Sequence, residues 1–187
     1  MATAYHRRKQ PELVRRALLD CAARLALEQG LAAVTVQAVC EAAGVTKGAM
    51  FHHFVSKQAL IDAVVAGLLD KLGEDIDAAM ARDSQPHGRF TRAYVTVTLD
   101  DLMLEQGSPW MTLYISSLTE PSLRRVTAEW FTRLVGRHFT TDTNPMLEVA
   151  RMAADGAWLA SLLREDGGPM PDLPALRRRL VAMTLPA

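Results

Sequence analysis

A short stretch in the N-terminal third of the chain carries the side chains with which proteins read nucleic acids. Lys57 has an ammonium group placed to meet phosphate, and Lys47 and His52 are polar side chains on the outer side of a predicted helix just before it. Gly48 and Ala49 are small enough to let the backbone approach base edges and to leave room for a thymine methyl group. These residue types at this spacing predict contact with the major groove of double-stranded DNA.

Such a surface requires helices that hold it in place, and the flanking residues predict them. Thr35 is a suitable N-cap for a short helix that ends at Gly44. Thr46 caps a second short helix to about His53, and Ser56 caps a longer third helix. Two short helices joined at a glycine turn, the second with a polar outer face, form a helix-turn-helix. Its inward-facing residues are expected to be Val36, Val39, Cys40, Val45, Met50 and Phe54.

This stretch resembles the signature of the TetR family of transcriptional regulators over about residues 10–65. The matching residues are Gly44-Val45-Thr46-Lys47-Gly48-Ala49-Met50-Phe51-His52-His53-Phe54 and Ser56-Lys57-Gln58-Ala59-Leu60. The resemblance implies an all-α protein of about nine helices. A three-helix DNA-binding head would occupy residues 1–55, with a basic arm at 1–10. Residues 56–187 would form a ligand-binding and dimerisation domain, in which 56–82 is the connecting helix.

The resemblance also implies which residues bind DNA. The implied set is Gln37, Thr46, Lys47, Gly48, Ala49, Phe51, His52, His53 and Lys57. His53 and Lys57 would hold phosphates, and Gln37 would approach from the supporting helix. Phe51 stands where the family commonly has a tyrosine that hydrogen-bonds a phosphate, so here the ring can only pack. The segment 2–10 is predicted to be a disordered, solvated tail, with an arm in the minor groove as the alternative.

Helical periodicity continues through the body. The first helix is predicted at Glu12–Gln29, the connecting helix runs to about Arg82, and the Asp83–Gly88 cluster forms a loop. Further helices are predicted at about Arg89–Gln106, Pro109–Leu118, Ser122–Phe139, Pro145–Arg164 and Pro174–Met183. The β-branched run Tyr94–Leu99 has no neighbouring strand, so it is interpreted as helix.

The body supplies a ligand site and a dimer face. Aromatic and thioether side chains adapt to bulky apolar molecules, and the resemblance implies such a pocket. The candidate lining is Tyr94, Val97, Met103, Trp110, Met111, Tyr114 and Trp130. Few ionisable residues are expected there, which favours a neutral or weakly polar effector. The candidate dimer face on the helix from Pro145 is Met146, Val149, Ala153, Gly156, Ala157 and Ala160.

Composition narrows the function classes. Residues 1–60 carry eight Lys and Arg against four Asp and Glu, whereas the rest of the chain carries thirteen against seventeen. A basic head on an acidic body suits DNA binding. Cys21 and Cys40 are expected to be buried thiols, and His52 and His53 lack the spacing of a metal site. No nucleophile–base set, cofactor motif, apolar membrane span or signal segment is present, so we expect a non-enzymatic, cytoplasmic protein with neither metal nor cofactor. The preference for arginine over lysine indicates a GC-rich bacterial genome.

The sequence therefore predicts a ligand-responsive regulator, acting as a repressor, that binds an inverted-repeat operator as a homodimer. A largely apolar small molecule would release it. Two alternatives remain at this point. One is a nonspecific architectural DNA binder, and the other is a helical module that binds small molecules or proteins through its body and no longer reads DNA.

Overall fold

The computed structural model describes residues 2–100, 115–116, 118–162 and 172–186, and all of their side chains except those of residues 2–10 and 162. Within these ranges the chain forms eight α-helices and no strand. The helices are α1 (Ala2–Gln29), α2 (Val36–Ala43), α3 (Lys47–His53), α4 (Lys57–Ala81), α5 (Arg89–Thr98), α6 (Pro121–Arg137), α7 (Pro145–Leu162) and α8 (Leu173–Met183), with a 3-10 helix at Leu31–Ala33. The predicted all-α class is confirmed.

The predicted caps of the three helix starts in the head are confirmed. The Thr35 hydroxyl accepts a hydrogen bond from the Ala38 amide at 3.1 Å, and the Thr46 hydroxyl accepts one from Ala49 at 3.1 Å. Ser56 does the same at the start of α4. Each cap satisfies an amide that has no partner within its own helix, which fixes where the helix begins.

The first helix departs from the prediction. It begins at Ala2 rather than near Glu12 and contains Pro11. Proline removes one backbone donor, but the residues before it include alanine, arginine and lysine and no glycine, so the helical conformation continues across it. The prediction of a disordered tail at residues 2–10 is therefore wrong, because their backbone is helical.

The helix α5 has the predicted conformation but is shorter than predicted. The run Tyr94–Leu99 is helical up to Thr98, as predicted. The helix then ends earlier than the predicted Gln106, because the Asp100 amide donates to the Val97 carbonyl and tightens the last turn. The remainder of the predicted helix, and most of the predicted segment Pro109–Leu118, lies outside the described residues.

The described residues divide into two compact units. The first contains residues 2–68 and the described part of 115–128, and the second contains 69–100, 129–162 and 172–186. In the first unit α1 packs against α2 and α3. Its buried side chains include Leu18, Ala22, Val39, Met50, Phe54 and Leu60. In the second unit α5, α7 and α8 pack against one another around Phe90, Val95, Leu147, Ala150, Ala154 and Leu180.

A buried arginine joins distant parts of the second unit. Arg92 Nε donates to Asp83 Oδ2 at 2.6 Å, and the other guanidinium nitrogens donate to the carbonyls of Gln85 and His87 and to the Thr184 carbonyl at 3.2 Å. The hydrogen bond from Arg92 holds the pKa of Asp83 below its ordinary value. One side chain thus ties the loop after α4 to the end of α8. None of the helices in the described ranges has the length and apolarity of a membrane span.

Candidate nucleic-acid interface

The two faces of α3 have opposite character. Met50, and Phe54 just after the helix, are buried against the core of the first unit. Lys47, Gly48 and His52 are exposed on the other side. The outward polar face and the inward apolar face that the sequence predicts are confirmed for these residues, so one side of α3 is open to the surroundings.

Gly44 and Gly48 are glycines for different reasons. Gly44 ends α2 with φ of 64° and ψ of 32°, a left-handed conformation that side-chain-bearing residues disfavour. Gly48 has ordinary helical geometry, and a Cβ there would meet only Thr46 Oγ1 at 3.9 Å. The fold of the unit therefore requires glycine at position 44 but not at 48, where the missing side chain leaves the outer surface of α3 open.

Some of the remaining predicted DNA-binding residues form side-chain hydrogen bonds within the head, and others do not. Lys57 is exposed in the first turn of α4. Thr46 uses its hydroxyl as the cap of α3, and the exposed Gln37 donates its amide to Glu41 Oε1 at 2.9 Å. Ala49 is half-buried. The ammonium group of Lys57 is thus available to bind phosphate, whereas Thr46 and Gln37 each use their side chain for a hydrogen bond within the head.

The aromatic residues of α3 extend the exposed surface. The Phe51 ring is 48% exposed, and Val55 just beyond the helix is 91% exposed. The His52 and His53 rings meet edge to face, with centroids 5.4 Å apart. Val55 was not among the predicted residues, because a single valine carries no sequence signal for binding. The guanidinium of Arg15 lies 4.9 Å from the centre of the Phe54 ring and braces α1 against the end of α3.

The two cysteines differ in how far their side chains are buried. Cys40 is buried, as predicted, and desolvation raises the pKa of its thiol. Cys21 is half-buried rather than buried. Among the described residues no group of three or more His, Cys, Asp or Glu side chains is arranged to hold a metal ion.

The second unit contains part of the predicted ligand site. Tyr94 and Trp130 are buried and Val97 is half-buried, while Met103, Trp110, Met111 and Tyr114 lie outside the described residues. The Tyr94 ring packs edge to face against Phe131, with centroids 6.2 Å apart.

Tyr94 contacts an acidic residue that was not predicted to belong to the candidate lining. The Tyr94 hydroxyl donates to Asp155 Oδ1 at 2.6 Å, from α5 to α7. Burial raises the pKa of the Asp155 carboxyl, and burial together with that carboxylate raises the pKa of Tyr94 far above its ordinary value. The sequence pattern had pointed to dimerisation alone for this part of α7.

A buried polar chain lies near this pair. Arg151 Nη1 donates to Thr91 Oγ1 at 2.6 Å, and the Thr91 hydroxyl donates to Asp142 Oδ1 at 2.6 Å. The Arg151 guanidinium also lies 5.6 Å from the centre of the Phe90 ring. The His138 ring stacks on Phe90 with centroids 4.4 Å apart, and burial lowers the pKa of its imidazole.

The predicted dimer face is mostly open along α7. Met146, Val149, Gly156 and Ala160 are exposed and Ala153 is half-buried. Met152, not in the predicted set, is 59% exposed on the same side. Ala157 lies on the buried side of α7 within its own chain, so it does not belong to this face.

Comparison with known proteins identifies the family. Residues 18–64 match the family model described as "Bacterial regulatory proteins, tetR family", and residues 88–185 match "Tetracyclin repressor-like, C-terminal domain". The HTH-type transcriptional regulator BetI of Rhizobium meliloti (strain 1021) is 32% identical over 121 residues, which cover 64% of this chain and 60% of BetI. The HTH-type transcriptional repressor KstR2 of Rhodococcus jostii (strain RHA1) is 47% identical over 55 residues, 29% of this chain and 27% of KstR2. The chain thus spans less than two thirds of the length of either relative.

Solved structures share the fold. SCO7518 of Streptomyces coelicolor A3(2) superposes with a TM-score of 0.70 at 20% identity and covers 91% of this chain and 98% of its own. The multidrug binding protein EbrR, complexed with imidazole, superposes with a TM-score of 0.67 at 24% identity and covers 92% and 96%. The matching families and relatives are transcriptional regulators and not enzymes. The chain belongs to the TetR family of transcriptional regulators.

Proposed function

We propose that this protein is a ligand-responsive repressor that binds an inverted-repeat operator as a homodimer in the bacterial cytoplasm. The observation that carries the proposal is the surface of α3. It presents Lys47, Gly48 and His52 outward while Met50 anchors it from behind. A helix of this kind enters the major groove with its N-terminal residues against base edges.

The open surface of α3 supports separate roles for the head residues in contacting bases and in contacting phosphates. Lys47 and His52 reach base edges, and Gly48 with Ala49 brings the backbone of α3 close to them. Lys57, with the amides at the start of α4, holds phosphate, and so does His53. Phe51 packs its ring against the sugar–phosphate surface, and Thr46 and Gln37 border the contact. The proposed DNA-binding domain is residues 1–55.

Dimerisation is proposed through the exposed face of α7. Its small residues Gly156 and Ala160 allow a second helix to approach closely, and Val149 and Met146 supply apolar area. A two-fold dimer would place two copies of α3 about 34 Å apart, one DNA turn. Val149→Glu is expected to give monomers in sedimentation. Leu13→Glu, a matched change at an exposed leucine of α1, should leave the dimer intact. If both variants are monomers, or if neither is, the proposal that α7 forms the dimer interface is refuted.

The response to an effector is proposed to pass through α4. This helix runs unbroken from the first unit into the second, where its Gly73 approaches the Trp130 ring. An effector bound in the body would favour a tilt of α4 that separates the two heads, which requires it to bind that state more tightly by a few kcal/mol. The fold neighbour EbrR, whose structures hold proflavin and ethidium, supports a body that accepts small molecules.

Selection from a random duplex library tests the DNA proposal and yields the operator sequence itself. The expected product is an inverted repeat whose half-sites lie about 10 base pairs apart, or a multiple of that spacing. No enriched sequence together with steeply salt-dependent binding would favour the nonspecific binder. No binding at all would favour a helical module that does not read DNA.

Variants then separate phosphate contact from base reading on the selected duplex. Lys57→Ala should weaken binding to all sequences about equally and lower the salt slope by about 1. Lys47→Ala and His52→Ala should instead change base preference by about 1–3 kcal/mol at single positions. Lys71→Ala, at an exposed lysine of the second unit that pairs with Asp75, is the control and should change neither. A flat preference in both α3 variants would refute the base-reading role.

A further inference from the structure

The Tyr94–Asp155 pair places a carboxyl group beside the aromatic contact between Tyr94 and Phe131. Asp155 is half-buried on α7, and Tyr94 is buried on α5 with its ring against Phe131. The two residues are 61 positions apart in the sequence, and the 2.6 Å hydrogen bond between them is made by packing of the two helices.

Among the described residues, the direct partner of Asp155 is a hydroxyl group and not a cation. None of their ammonium or guanidinium groups forms an ion pair with it. The Arg151 guanidinium, one turn earlier on the same helix, partly offsets the rise in the pKa of the carboxyl that burial causes. Arg151 directs its Nη1 to Thr91 and its guanidinium plane to Phe90. A neutral hydroxyl is therefore the direct partner of the carboxyl, and partial burial of a carboxylate that has no paired cation is costly.

A purely structural role does not require an acid at this position. The Tyr94 hydroxyl needs only an acceptor, and an amide or hydroxyl oxygen would serve without the desolvation cost of a carboxylate. A carboxylate differs from these groups in offering full negative charge to an incoming cation. The aromatic rings of Tyr94 and Phe131, which contact each other, add attraction for a cation in a low-dielectric site.

We propose that Asp155, assisted by Tyr94, binds the positive charge of the effector, which is a monovalent organic cation on an apolar body. This inference rests on the proposed ligand response and narrows it to one chemical class. In the free protein the Tyr94 hydroxyl satisfies the carboxyl, and the bound cation takes its place as the principal partner. The apolar part of the effector packs on the aromatic rings beside Tyr94.

The test measures binding to the full chain of two organic cations of different size, each beside a comparator of similar shape that lacks the positive charge. Tetraphenylphosphonium is compared with tetraphenylborate, and 2-phenylethylammonium with 2-phenylethanol, by calorimetry. At least one cation is expected to bind more tightly than its comparator. Asp155→Asn should weaken that cation roughly 10- to 100-fold, the size of a charge-assisted contact. It should leave the neutral 2-phenylethanol unchanged and should not weaken the anionic tetraphenylborate. Tyr94→Phe should retain the preference for the cation.

Two controls keep the proposal separate from folding and from DNA binding. Asp75→Asn removes an exposed acid of the same unit that pairs with Lys71 and should not change cation binding. Circular dichroism and binding to the selected duplex establish that each variant is folded and functional in the head. Cation binding that is indifferent to Asp155, or no binding of either cation by a protein that still binds its duplex, overturns the inference. A protein that binds cations through Asp155 but no duplex overturns the proposed DNA function instead.

Discussion

Replacing Gly48 with alanine should separate the stability of the head from its affinity for DNA. A Cβ at this position meets only Thr46 Oγ1 at 3.9 Å, an ordinary van der Waals contact. Alanine is a better helix former than glycine by up to about 1 kcal/mol, so the free energy of unfolding should rise. The same methyl group would point from the outer face of α3 into the DNA contact, where overfilling a close-packed surface costs about 1–3 kcal/mol. The expected loss of affinity is roughly 5- to 150-fold.

Two further glycines provide the matched comparison. A Cβ at Gly44 would meet nothing within 4 Å, but φ of 64° is unfavourable for alanine, so Gly44→Ala should lose about 1–2 kcal/mol of stability. Gly67→Ala changes an exposed glycine within α4 that has ordinary helical geometry and open space around it. It should gain stability as Gly48→Ala does and keep full affinity for DNA.

Urea unfolding gives the stability changes, and fluorescence anisotropy on the selected duplex gives the affinities. The reasoning requires opposite signs for Gly48→Ala, with stability higher and affinity lower, and no change in affinity for Gly67→Ala. If Gly48→Ala is folded, more stable and binds DNA as tightly as the parent, the backbone of α3 does not approach the bases at this position. The proposed orientation of the recognition helix would then be refuted.

Three further predictions concern the body and the thiols. Arg92→Met leaves Asp83 and three carbonyls without their buried donor, so it should lower the free energy of unfolding by about 3–5 kcal/mol in urea titrations. Because Arg92 lowers the folded-state pKa of Asp83, the stabilisation from this pair should be complete above pH of about 4 and be lost as the pH falls below that value. Asp83→Asn should therefore flatten the dependence of the unfolding free energy on pH in this acidic range. An unchanged pH dependence in this variant would contradict the assignment. Burial and the raised pKa of Cys40 predict that a thiol reagent labels Cys21 first in the folded protein, and labelling in the reverse order would contradict the burial pattern.

The local features of the head could be predicted from the sequence because short-range bonds create them. Thr35, Thr46 and Ser56 each accept a hydrogen bond from an amide three residues ahead, and Gly44 supplies a left-handed turn. Such interactions depend on neighbouring residues, so residue types at fixed offsets identify them. Pro11 shows the limit of this reasoning, since a residue that usually marks a helix start lies inside α1.

The groups that could not be predicted are joined by helices far apart in the chain. Arg92 reaches Thr184 across 92 residues, and Tyr94 reaches Asp155 across 61. Helical periodicity shows which face of each helix is buried but not which residue of α7 lies opposite a given residue of α5. That pairing depends on the crossing and the register of two packed helices, to which side chains along both contribute. The sequence alone therefore determined the helices, their caps and the outward face of α3, whereas only tertiary packing decided that an aspartate from α7 would meet Tyr94.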